Sequence, residues 1–168
     1  MKKIETVIKF LSHLLAWLSA ICISLMMIHV FADVILKYAL KRPIVGTAEV
    51  VAYYYMLAAV FLPLPLVELR NAGVCVTLFY DRMSTSVRHI IVLFSYVGQF
   101  LFYSILAYQS GLDALDSLGK LEVVEGQITL YIWPATFFLP LGLGVAAILS
   151  AFRFVQLVYR PDWEKLVE

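Results

Sequence analysis

The chain has 168 residues, 62% of them hydrophobic and 15% charged, with a formal net charge of +1. That balance offers no basic excess for nucleic acid. It also leaves no room for a soluble domain beside long apolar helices.

Four stretches carry no formal charge: residues 10–32, 50–67, 90–112 and 126–152. A helix needs about 20 apolar residues to cross the ~30 Å hydrocarbon core of a bilayer. Three stretches reach that length, and the second reaches it if residues 47–49 form its first turn. The expectation is an all-α integral membrane protein, a single domain over 1–168 with transmembrane helices at about 10–36, 47–67, 89–111 and 131–158. The apolar run near the N-terminus is about twice the ~7–15 residues of a signal-peptide core, so it reads as a retained first crossing. Cys22 and Cys75 stand in apolar surroundings without a paired spacing and read as small packing residues.

Lys and Arg counts set the expected orientation. With the N-terminus inside, the cytoplasmic side holds Lys2, Lys3, Lys9, Arg70, Arg82, Arg88, Arg153, Arg160 and Lys165. The opposite side holds Lys37, Lys41, Arg42 and Lys120. The excess favours both termini in the cytoplasm, against the basic cluster at residues 37–42.

In the first helix Ser12, Ala16, Ala20 and Ser24 recur every four residues, a stripe of small side chains that suits close helix packing in lipid. The other reading is the ordinary abundance of Ala and Ser in apolar helices. Asp33 and Lys37 close this helix at a spacing that allows an ion pair, and Tyr38 sits where interfacial aromatics belong. Glu49 falls in the first turn of the second helix, where a negative charge complements the helix dipole. Pro63 and Pro65 near its far end each remove a backbone donor, which predicts a kink or an early stop. Arg70 follows. The segment at about 74–86 is too short to cross, and its apolar part predicts an interfacial or partly re-entrant piece.

The third helix is rich in Phe and Tyr. After it, Asp113, Asp116, Glu122 and Glu125 against Lys120 make the next connection acidic. The fourth helix starts near Trp133-Pro134 and carries a second small-residue stripe, Gly142, Ala146 and Ser150, again suited to helix packing.

No phosphate loop, metal-ligand spacing or catalytic triad is present, and no carboxylate stands in the middle of a crossing. His13 and His29 are sixteen positions apart on one helix, about 24 Å along its axis, and cannot share a haem. His13 and His89 are the pair left for a peripheral haem; the other reading makes both interfacial polar caps. The chain reads as a scaffold without an enzymatic site, and a membrane anchor for a redox enzyme, with haem or quinone, is the alternative.

Two runs carry a family resemblance. The first is Asp33, Lys37-Tyr38, Pro43, Thr47, Glu49 and Arg70; the second is Gly126-Gln127-Ile128, Trp133-Pro134 and Pro140-Leu141-Gly142. In these runs the chain resembles the small membrane subunit of TRAP (tripartite ATP-independent periplasmic) transporters, the DctQ-like family. Gly46 stands where the family often has Trp, Ala48 where a Glu is common, and Gly73 and Thr77 where His and Asp are usual. The resemblance implies a multi-pass protein of a bacterial inner membrane that braces a large transport subunit. That partner would hold sodium and organic-acid sites, and a periplasmic binding protein would deliver the substrate. No cofactor is implied in this chain itself. Asp33, Lys37, Tyr38, Glu49 and Arg70 are then the candidate interface or positioning residues.

Overall fold

The computed structural model describes residues 2–70, 72 and 84–159. The apolar segment expected at about 74–86 lies outside the described residues except at its last three positions. Four helices are long and apolar enough to cross a membrane, and the protein is a multi-pass, all-α membrane protein.

Helix α1, Lys2–Ala39, has 38 residues and is about 57 Å long at 1.5 Å per residue. Its inner side is a regular seam. Ile8, Ser12, Leu15 and Ser19 are buried, and Cys22, Met26, His29 and Asp33 are half-buried. The steps alternate between four and three, the 3.5-residue repeat that keeps one seam against a neighbour. A stripe stepping by four turns about 50° away from such a seam at each step. Ser12 of the small-residue stripe is therefore buried and Ala16 half-buried, while Ala20 and Ser24 face outward.

Helix α2, Thr47–Leu69, is interrupted twice. A π-helical turn occupies Val51–Tyr55. The α-helix resumes at Met56–Phe61, breaks at Pro63 because proline has no amide hydrogen to continue the ladder, and ends with Leu64–Leu69. The prolines thus interrupt the helix, as their missing donors predict.

Helix α3, Thr85–Lys120, runs well past Gly111, where the apolar pattern alone would end it. The added turns are amphipathic: Ser110, Ala114 and Ser117 are buried, while Asp113, Asp116 and Lys120 are exposed. Asp116 and Lys120 pair at i, i+4 on the exposed face, a spacing that gives a surface helix only weak support. Leu121 ends the helix in the left-handed region, φ 48°. A short hairpin follows, β1 Val123–Glu125 antiparallel to β2 Thr129–Tyr131.

Helix α4 begins with Trp133–Thr136 and continues as Phe138–Tyr159. It is the central helix, packing on α2 along one side and on α3 along the other, while α1 lies against α2. Gly142 permits the α2 contact, because a side chain there would collide with the Phe61 carbonyl. Ala146 and Ser150 are fully buried, so this small-residue stripe packs within the chain. Leu15, Ala58, Leu62 and Val145 form the core where α1, α2 and α4 meet. Val92, Tyr96 and Leu157 form a second core between α3 and α4.

Candidate functional site: a polar clasp at the hairpin end

Two connections interlock at the end of the molecule opposite the termini. Asp33, near the end of α1, accepts a hydrogen bond from the Ile44 backbone N–H at 2.6 Å. Its carboxylate therefore holds the following loop rather than pairing with Lys37, four residues on. Lys37 and Tyr38 are both exposed. The loop turns at Gly46, φ 89°, a conformation that glycine adopts without steric cost. Thr47 Oγ1 donates to the Ile44 carbonyl at 3.1 Å and closes the turn.

The hairpin docks onto this turn. Gly46 N–H donates to Gln127 Oε1 at 3.4 Å, and Gln127 N–H donates to Glu49 Oε1 at 2.7 Å. Gly126 leaves room for the Glu49 carboxylate, and the Ile128 side chain covers Gly46 so closely that no Cβ fits there. One turn deeper, the Tyr54 hydroxyl donates to the Tyr131 carbonyl, and the Tyr55 ring stands edge-on to His29 at a centroid distance of 6.0 Å. A charge-assisted hydrogen bond to a carboxylate is among the stronger kinds, so Glu49 is the main anchor. Its second oxygen, Oε2, is buried without a hydrogen-bond partner among the described residues.

A second polar contact lies near the termini. Arg153 of α4 donates to the Leu69 carbonyl at 2.7 Å, satisfying one of the acceptors that the end of α2 leaves open. Glu68 is within electrostatic reach of Arg153. Below the end of α2 is a cavity of about 270 Å³, lined by Glu5, Lys9, Leu69, Arg153 and Gln156 among others.

Of the residues singled out in the sequence, Asp33 and Glu49 serve one interlocked structure, each holding backbone of the loops. Lys37 and Tyr38 stand outside it, and the exposed Arg70 caps α2 at the opposite end. Gln127, Gly46 and Ile128 complete the clasp and received no role from sequence reasoning. The Gly126-Gln127-Ile128 run was the signal for Gln127 and Ile128. His13 turns its Nδ1 to the Lys9 carbonyl of its own helix at 2.7 Å. Among the described residues no group of three or more His, Cys, Asp or Glu side chains is placed to hold a metal ion.

The fold and the clasp define a multi-pass membrane protein whose hairpin end is fastened by side-chain bonds to its own backbone. Residues 26–160 match the family described as tripartite ATP-independent periplasmic transporters, DctQ component. The match spans well over half of the chain, and the protein belongs to that family: it is a small-subunit component of TRAP transporters, a transporter family and not an enzyme family. No curated protein and no solved structure matches it.

Proposed function

We propose that this chain braces the large membrane subunit of a TRAP transporter, which takes up an organic acid delivered by a periplasmic binding protein and couples the uptake to sodium. The substrate and sodium sites belong to the large subunit. The chain sits in a bacterial inner membrane with both termini in the cytoplasm, so the clasp faces the periplasm.

The observation that carries this reading is the pair of bonds Gly46 to Gln127 and Gln127 to Glu49. They make a rigid end from two loops, as a brace requires, and use the polar groups that a transport path would need free. Asp33 and Glu49 act as positioning residues. Lys37, Tyr38 and Arg70 are exposed and available to partners.

The test is co-purification in mild detergent from cells expressing the tagged chain with the large subunit and binding protein of its own system. The large subunit is expected to remain bound through size-exclusion chromatography. Its complete loss under conditions that leave both proteins folded would contradict the reading.

A further inference from the structure

Residues in contact across a helix pair lie at about the same depth in the membrane. Ser19 of α1 bonds the Ala59 carbonyl of α2, and Gly142 of α4 lies on Phe61 of α2. Each of these residues stands near the middle of a charge-free stretch, so α1, α2 and α4 agree on where the hydrocarbon core lies. Near the termini Lys9, Leu69 and Arg153 line one cavity and mark one polar boundary.

Helix α3 is out of step with the other three. Gly111 lies beside Pro140, so the end of the charge-free stretch of α3 is level with the middle of that of α4. Asp113 is then level with residue 138. At the other end Val92 and Tyr96 cluster with Leu157, and Phe154 packs against that cluster, which puts Arg153 level with about Gly98. From residue 138 to residue 153 of α4 is about 22 Å at 1.5 Å per residue. The hydrocarbon core is ~30 Å thick, so a flat slab over this pair takes in the backbone at Asp113, at Arg153 or at both.

The mismatch lies on the exposed side of α3. Gln109, Asp113 and Asp116 are exposed there, at depths where the other helices are apolar. Asp113 accepts from Gln109 and Asp116 from Lys120, yet both carboxylates remain uncovered. A charged side chain facing lipid near a helix centre is strongly disfavoured even on the lenient insertion scale. Conversely, Phe94 is 79% and Ile90 65% exposed, and both lie beyond the boundary marked by Lys9 and Arg153. Lipid suits neither end of this surface. A protein neighbour with donors opposite the carboxylates and apolar groups opposite Phe94 suits both.

We infer that the exposed side of α3 is the seat of another membrane-spanning polypeptide, the large subunit, rather than a lipid-facing surface. This rests on the reading of the chain as a TRAP small subunit. A second copy of the chain fits poorly. Two copies in one membrane would be related by an axis along the membrane normal, and their self-matching patches would set Asp113 and Asp116 against their own equivalents.

The test places a photoreactive benzophenone amino acid at Phe94, Tyr108 or Leu115 on α3 and, as controls, at Trp17 or Phe31 on α1, both also exposed. The full complex is irradiated in native membranes. The α3 positions are expected to give a band shifted by the mass of the large subunit, and the α1 positions none. Large-subunit adducts from α1 but not from α3 would overturn the inference and leave the subunit reading standing. So would chain–chain adducts alone, or no protein adduct from α3, in a complex that still co-purifies. If no large subunit co-purifies at all, the subunit reading fails and the inference falls with it.

Discussion

Glu49 Oε1 accepts the backbone N–H of Gln127 at 2.7 Å, across 78 positions of sequence. The bond fastens the first turn of α2 to the hairpin that leads into α4. Because α4 is the central helix, this contact fixes the relative height of α2 and α4 at the hairpin end, while the close approach at Gly142 fixes their separation.

Replacing Glu49 separates the acceptor from the charge. Glu49→Ala removes the hydrogen bond and leaves the Gln127 N–H without it, a loss of about 1–3 kcal/mol. Glu49→Gln keeps an oxygen acceptor and should lose less than half as much. Thermal unfolding of the two variants in detergent measures the difference. Equal losses would show that the acceptor geometry is unimportant.

Two glycines two residues apart on α4 make an internal comparison. Gly142→Ala meets the Phe61 carbonyl, whereas a Cβ on Gly144 has nothing within 4 Å. Overpacking costs about 1–3 kcal/mol, so Gly142→Ala should lower the melting temperature and weaken subunit assembly. Gly144→Ala should be neutral or slightly stabilising, since Ala exceeds Gly in helix propensity by about 1 kcal/mol.

The Arg153 contact predicts a coupled pair. Arg153→Ala removes the donor at the Leu69 carbonyl and leaves Glu68 without its compensating charge, a loss of about 1–3 kcal/mol. Adding Glu68→Gln removes the stranded charge and should restore part of the loss. A double-mutant cycle on unfolding free energy reads this coupling; simple additivity would contradict it.

The four crossings were legible because water cannot solvate a helix surface without polar groups, and the stretches without charge state that directly. The seam of α1 was also written in the sequence, at Ile8, Ser12, Leu15 and Ser19. The four-residue Ser and Ala stripe was the more conspicuous pattern, but it drifts off a seam of period 3.5. The outer turns of α3 carry Asp113 and Asp116, which read as a loop when charge alone is counted; burial of Ala114 and Ser117 makes them helix. The clasp was half legible. Glu49 and Asp33 could be picked out as charges at crossing ends, but the donors they accept from are backbone N–H groups, which no side-chain pattern announces. Gln127 comes to Gly46 only through the fold. The offset of α3 lay deeper still, since it follows from which residues touch rather than from any one stretch.

As the proposed brace, this chain is expected not to transport by itself. The direct measurement is sodium-driven uptake of the binding protein's own organic-acid ligand into proteoliposomes containing the large subunit, this chain, both or neither, with the loaded binding protein outside. Uptake is expected only when both membrane subunits are present, and none with this chain alone. Solute accumulation in vesicles that hold this chain and no large subunit would contradict it.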